Sequence, residues 1–586
     1  MITSANVFCV AACCVVLPSV AMASSPSMED VAPPETVAVL DIQNVDRIFG
    51  RLEESGLLEG DDAQDLNDGI RDLIGRFPDS VSEVWLDVFE SHEPTDVLGA
   101  LSASIALWVD RTAGERGELV LAGWVDLGDN ADAVSEAWDD GWRTIRGRAD
   151  AVTESLSGRD VDVIDGRLGE GPERPIKEML WHVREDSLIL LSNTQSGLQR
   201  MLDVLDGDEV GESLADVEAW ESATAMLEGP DDVRLVLLVE GAFAAAQVVD
   251  QMGMAAMAKA SFDATIGPVR AAAVSAGVGS QDDLFTAFGA LWMPDGPGGL
   301  LRLLAIDSPR DTLPGWIGPD VVSLSRFNVD FKRIPDWLRS VVASNPMLMG
   351  LGQLLDQFEP SIRAILGPLD HKAMMVGTLQ RPLSMDSLNE VTSIACTDPS
   401  GLKDALAAIS PKGGFEPRDF QGHQIWTVDA SAMAMMPIPI PGDARMSLAV
   451  AGHSLFIGSD AGVESALRSL SARSATSPPW LTRAIGRMPS EPMACWSTWD
   501  VGEHLTAVAE VQRLQLRSWE DELMAEDPEL WEEIKGELTD EEGTARRERL
   551  ARIASRLGPA AWWAQSGDDG FRIGGVLLTA EDDEGE

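Results

Sequence analysis

An α+β fold of tandem duplicated units, each an antiparallel sheet covered by amphipathic helices, is what the sequence predicts, and three recurring elements carry that prediction. The first is a strand that runs into a helix. The second is a Gly-Pro helix stop followed by another strand. The third is a tight hairpin that leads into an amphipathic helix.

The strand-to-helix element reads Val37-Ala38-Val39-Leu40-Asp41-Ile42-Gln43-Asn44-Val45-Asp46 and returns as Val321-Val322-Ser323-Leu324-Ser325-Arg326-Phe327-Asn328-Val329-Asp330, with weaker echoes at 233–241 and 493–501. Apolar residues at helical spacing follow, Ile48, Leu52 and Leu57 in one copy and Ile334, Leu338 and Val341 in the other. The helix stops are Ile266-Gly267-Pro268, Leu366-Gly367-Pro368 and Leu557-Gly558-Pro559. There Gly is expected to take the left-handed conformation that ends many helices, and Pro prevents continuation. Strand-like runs come next at 271–278, 373–379 and 560–564, and Ala106-Leu107-Trp108-Val109 is echoed by Ala290-Leu291-Trp292-Met293.

In the hairpin element, residues 448–460 match 181–193, with His453 aligned to Asp186 and Ser454 to Ser187, and helices follow at 463–470 and 198–205. Elements therefore arrive as strand–helix–strand–strand–helix–strand–strand–strand–helix. The turns are too short for parallel crossovers, so antiparallel sheets with helices on one face are expected. Residues 24–35 read as a linker, 36–312 as the first half (sub-units 36–206 and 232–310) and 313–586 as the second (320–472 and 491–580). The joint is placed at 309–319.

At 586 residues and 45% hydrophobic content, the chain has material for roughly three to five domain-sized units. Its 97 Asp+Glu against 44 Lys+Arg give a net charge of −53, which repels phosphate backbones and argues against nucleic-acid binding. There is no Tyr, so no tyrosine chemistry. Residues 2–23 carry no charge, hold an apolar run at 7–16 and end in Ala21-Met22-Ala23, the small-x-small pattern of a signal-peptide cleavage site before Ser24. The run is short of the ~20 residues a membrane span needs. Residues 1–23 are thus read as a signal peptide and the mature chain as extracytoplasmic, periplasmic or secreted, without a stable membrane span. A lipoprotein-type box at Val10-Ala11-Ala12-Cys13 is disfavoured by its very short apolar segment. Cleavage leaves Cys396 and Cys495, each in an apolar strand-like run and read as buried free thiols.

The six His are His92, His182, His371, His423, His453 and His504, and no two stand at i, i+3 or i, i+4, so neither a metal nor another cofactor is expected. Gly452-His453-Ser454-Leu455-Phe456 lacks the second Gly of a nucleophile elbow, and His453 and Ser454 read as turn residues. The acidic run 126–132 lacks calcium-loop spacing and, like Asp398 ahead of Pro399, reads as turn and helix-cap chemistry. The 18 Trp, Trp108, Trp292, Trp138 and Trp142 among them, read as core. Residues 519–557 read as an acidic helix pair over the last sheet. Met433-Ala434-Met435-Met436-Pro437-Ile438-Pro439-Ile440-Pro441 is apolar where its first-half counterpart, 167–175, is polar, so Met433, Met435, Met436, Ile438 and Ile440 form a candidate partner contact.

The opening Ala32-Pro33-Pro34-Glu35-Thr36-Val37-Ala38-Val39, the Asn-Val-Asp strand ends and the hairpin Gly452-His453-Ser454-Leu455-Phe456-Ile457-Gly458-Ser459 resemble exported bacterial proteins of the domain of unknown function 3352 family. The resemblance spans most of the mature chain. It implies an extracytoplasmic α+β protein and transfers no catalytic residue. The absence of a basic residue ahead of the apolar leader and the lack of Tyr depart from that pattern.

Because the repeats account for the reactive-looking side chains as turns and caps, the expected function is non-catalytic: surface binding of a protein or envelope component, or envelope organisation. Two alternatives stand beside it, an exported hydrolase whose Asp and Glu carboxylates converge on folding, and a carrier of an apolar ligand. Oligomeric state is not legible.

Overall fold

In a computed structural model, the described residues fall mainly in 27–57, 101–128, 151–165, 179–429, 445–518 and 551–580, with short interruptions and isolated positions between these spans. The chain forms two compact units. One comprises residues 1–259 and 269–294, the other 260–268 and 295–586.

The first unit contains β1 (Thr36–Ile42), β2 (Ser102–Asp110), β3 (Glu118–Asp126), β4 (Val152–Leu156), β5 (Arg159–Asp165), β6 (Met179–Glu185), β7 (Leu188–Ser192), β8 (Val233–Leu238), β9 (Ala271–Val278) and β10 (Asp283–Trp292). Their pairings are all antiparallel and run in the order 4-5-6-7-3-2-1-8-9-10. Because β1 pairs with β8, residues 36–206 and 232–294 contribute to one sheet rather than two. Alternating side chains give that sheet two apolar faces. On one, Trp108, Val120, Leu190 and Val236 pack with Leu198, Met201 and Leu202 of the helix Gln195–Asp206 and with Trp220 of the helix Glu218–Ala225. Thr194 caps the first of these helices by accepting from the Gly197 N–H, and Gly207 at φ 79° ends it. On the other face Val109 and Leu119 pack with Ala244 of the helix Val239–Val249.

The second unit contains β11 (Val321–Asn328), β12 (Leu369–Leu379), β13 (Leu388–Cys396), β14 (Glu416–Phe420), β15 (His423–Asp429), β16 (Arg445–Ala451), β17 (Ser454–Ser459), β18 (Cys495–Asp500), β19 (Leu557–Gly567) and β20 (Gly570–Thr579). These pair antiparallel in the order 14-15-16-17-13-12-11-18-19-20. One face buries Leu324, Val376 and Phe456 under the helices Asp460–Ser469 and Pro479–Arg487. The opposite face buries Trp426, Leu448 and Leu455 with Leu402 and Leu406 of the helix Pro399–Gly413, and Val322 and Leu379 with Ala507 of the helix Val501–Ser518.

Several expectations are corrected. Helices cover both faces of each sheet, because neighbouring residues such as Val321 and Val322 point to opposite sides and both need partners. Four strands, not three, follow the second helix-forming stretch. The extra one is β4, whose polar interior hides it from an apolar reading and which turns into β5 at Ser157 (φ 48°) and Gly158 (φ 76°). Of the three helix-stop glycines, Gly367 has a right-handed φ of −59° and Gly558 lies inside β19. The glycines there answer a close approach: a Cβ would meet Arg363 O at 2.8 Å at position 367 and Thr579 O at 2.2 Å at position 558.

Both sequence alignments shift by one residue. Asp186-Ser187 and Gly452-His453 are the two turn residues of their hairpins, with Asp186 (φ 52°) and Gly452 (φ 57°) both left-handed. Ser187 O accepts from Leu127 N–H, and His453 O from Cys396 N–H, so Ser187 is the partner of His453 while Ser454 belongs to β17. In the strand-to-helix element the register breaks at Val37 in β1 and at Val322 in β11, positions that the sequence alignment leaves one residue apart. The unit boundary falls at 294/295 rather than at 309–319. Residues 295–308 pack with the second unit because Leu303 O accepts from Asp330 N–H and Ser308 pairs with Met493.

Candidate functional site

Residues Met433, Met435, Met436, Ile438 and Ile440 lie outside the described residues, as do 1–26, His92 and nearly all of 519–550. Asp398 does cap the helix Pro399–Gly413, accepting from Gly401 N–H at 2.9 Å, and Asp126 accepts from Gly128 N–H in a local turn. Trp108, Trp138, Trp142 and Trp292 are all buried. Trp108 is on β2 and Trp292 on β10, strands with different neighbours, so the likeness of their sequences does not mark one shared position. Cys396 and Cys495 are free thiols, and burial pushes Cys495 up to about 11. Among the described residues no group of three or more His, Cys, Asp or Glu is placed to hold a metal ion.

What the fold brings together is different. Ser308 and Met493 exchange backbone hydrogen bonds of 3.0 and 3.1 Å, which fixes the Ser308 backbone against the strand region ahead of β18. Its Oγ lies 3.3 Å from His371 Nε2, and His371 Nδ1 lies 2.8 Å from Asp370 Oδ1. Partial burial pushes the Asp370 carboxyl up, but the backbone N–H and imidazole of His371 outweigh it and hold the group below the usual carboxylate range. Next to this cluster the buried Arg326 guanidinium donates to Pro309 O. In sequence Asp370-His371 stands just ahead of the strand-like run 373–379, and Ser308 lies 63 positions before His371, so nothing local joins them.

A second feature is apolar. On the helix Leu351–Leu366, residues 351, 354, 358 and 365 fall within about 60° of one another. Ile365 packs beside the cluster around Trp426 and Leu402, whereas Leu351, Leu354 and Phe358 are 46%, 49% and 54% exposed. One stripe therefore starts on the body of the unit and continues into solvent. The helix is held by its flank: buried Glu359 accepts from Arg363 Nε at 2.7 Å and also pairs with Arg339, and Arg363 pairs with Asp336 on the helix Ile334–Ser344.

In the first unit Arg111, Glu240, Phe243, Gln247 and Lys259 line an open cleft of about 260 Å³. Glu240 pairs there with Lys259, and also with Arg270.

No protein-family model matches the chain, and no curated protein matches it. Among solved structures it is similar to TP0453 in crystal form III (11% identity, covering 46% of this chain and 80% of that one, TM-score 0.24) and in crystal form I (9%, 47% and 94%, TM-score 0.21).

Proposed function

We propose that this is an exported protein that works by binding through its surface, and that its partner is a protein of the cell envelope. The observation that carries the reading is the stripe Leu351, Leu354 and Phe358, apolar side chains projected from a helix whose flank is locked by ion pairs. Such spacing suits insertion into an apolar groove of another protein. A net charge of −53 disfavours both an anionic bilayer and a second copy of this chain as the occupant.

The experiment places a photo-crosslinking residue at Leu354 in cells and compares Leu354→Glu with Phe358→Glu. Capture of one envelope protein, lost in both charged variants, supports the reading. Crosslinks to lipid alone, or capture that ignores both substitutions, overturn it.

We infer further that the two units descend from one duplicated plan. Two observations support this. The second sheet's sequence of neighbours is the first with ten added to every number, and the bulges at Val37 and Val322 fall at the same place in β1 and β11. On this reading, a feature present in one unit alone is an addition to the plan rather than part of its framework.

A further inference from the structure

We propose that Ser308, His371 and Asp370 form a hydrolytic centre for small carboxylic esters in the second unit. The inference goes beyond surface binding and stands on other residues. Asp370 Oδ1 accepts from both the backbone N–H of His371 at 2.8 Å and its ring Nδ1 at 2.8 Å. That assignment puts the ring proton on Nδ1 and leaves the lone pair on Nε2, where the Ser308 hydroxyl donates at 3.3 Å. A nucleophile, a base and a group that orients the base are thereby in the order that serine acyl transfer requires.

Two further observations support a chemical rather than a framework role. Ser308 is 8% exposed and its backbone is pinned to Met493, so the hydroxyl sits in one place without being sealed off: the His371 and Asp370 side chains beside it are about a third or more exposed. The partly exposed His371 and Asp370 side chains leave room for a short acyl group. The cluster also breaks the likeness between the units. The register of β12 against β13 shifts between Leu369 and Ala373, the stretch that holds Asp370 and His371, whereas β2 pairs with β3 from Ser102 to Asp110 without a shift.

In the reaction, Ser308 Oγ bonds to the ester carbonyl carbon as its proton passes to His371 Nε2. The carbon–oxygen bond to the leaving alkoxide breaks, and the alkoxide takes that proton away as an alcohol. Water then attacks the acyl-serine, giving a proton to His371, and the acid departs as the proton returns to Ser308. Asp370 keeps its charge throughout and balances the imidazolium. The buried Arg326 guanidinium, which donates to Pro309 O next to Ser308, adds positive potential near the reacting serine.

The test uses the full mature chain, a fluorophosphonate probe and p-nitrophenyl acetate. Mass spectrometry is expected to find the probe on Ser308, with measurable ester turnover. Ser308→Ala is expected to abolish labelling, and His371→Gln and Asp370→Asn to slow it by at least about tenfold while the melting temperature stays near that of the parent. The parent protein needs no variant to decide the matter: absence of probe at Ser308, in a tube where trypsin is labelled, overturns the proposal. Labelling that persists unchanged in His371→Gln overturns it too. Leu354→Glu is expected to leave labelling intact, so loss of partner capture and loss of this chemistry are separable.

Discussion

Asp41 and Arg234 face each other across the paired strands β1 and β8, with the guanidinium 2.9 Å from carboxylate Oδ2. Ser104 on β2 donates to the other carboxylate oxygen, and the Arg234 guanidinium lies over the Trp220 ring. Counted from the shared bulges, the same crossing in the second sheet holds Arg326 on β11 opposite Trp496 on β18. There the guanidinium donates to a backbone carbonyl, Pro309 O. Arg234→Met leaves a nearly buried Asp41 carboxylate with one donor fewer and is expected to cost roughly 1–3 kcal/mol. The double variant Asp41→Asn/Arg234→Met removes both charges and is expected to cost less than the sum of its single changes. Urea melts around a double-mutant cycle measure this, and strict additivity would falsify the coupling.

His182 lies against Trp138 and Trp142, and burial pushes its pKa down to about 4 despite Asp162, with Arg184 and Arg146 adding to the effect. The Trp138 indole N–H points at its Nε2 from 3.4 Å, a contact only the neutral ring accepts. Because the folded value is depressed below the ordinary 6.5, this group's contribution is complete above about pH 6.5. It is lost as pH falls toward 4, on the order of 3 kcal/mol in all. Counted back from the turn of each hairpin, Leu448 stands where His182 does. His182→Leu is therefore expected to flatten the stability profile between pH 6.5 and 4.5, measured as the difference between variant and parent melts.

A Cβ at Gly241 would lie 1.9 Å from Thr36 O, where the helix Val239–Val249 crosses β1. Gly241→Ala must push that helix off the sheet and is expected to destabilise by about 1–3 kcal/mol or more. Thermal melts check it, and Gly158→Ala, with open space around its Cβ, gives the contrast for conformational strain alone.

Burial raises the thiol pKa at both Cys396 and Cys495, which leaves little thiolate at pH 8. Both are expected to resist iodoacetamide in the native protein and to react within minutes in urea. Equal rates in the two states would count against the burial described for them.

The excess of acids over cations spreads along the chain, so self-repulsion opposes the compact state at low ionic strength. Urea midpoints are expected to rise between low and molar NaCl. No rise would mean that the ion pairs already balance the acidic surface.

The strands β1, β8, β11 and β18 are visible in sequence because each is a strand-like stretch that runs on toward a helix-forming one. Residues 271–278 likewise mark β9 to the residue. The edge strands are harder to see. Val152-Thr153-Glu154-Ser155-Leu156 is apolar only at its ends, and Glu416-Pro417-Arg418-Asp419-Phe420 shows no alternation at all. Sequence likeness puts the turn at Gly452-His453 one residue late, since it follows side chains whereas the left-handed backbone follows Gly452. Neither of the two outward-looking sites is legible. Leu351, Leu354 and Phe358 have the same spacing as buried helix residues, and only packing shows where the body of the unit stops. Ser308 meets His371 through its pairing with Met493, a contact between segments far apart in the chain.

The pairing of β1 with β8 sets a timetable for folding. Asp41 and Arg234 are 193 positions apart, so one edge of an early strand keeps its amides and carbonyls open until residue 238 has emerged. β11 repeats the wait for β18, with Ser325 and Ser497 172 positions apart. Closure across such distances is slow. A chain emerging from its N-terminus therefore passes twice through a state with an unguarded adhesive edge, and a bound chaperone is most useful in those two intervals.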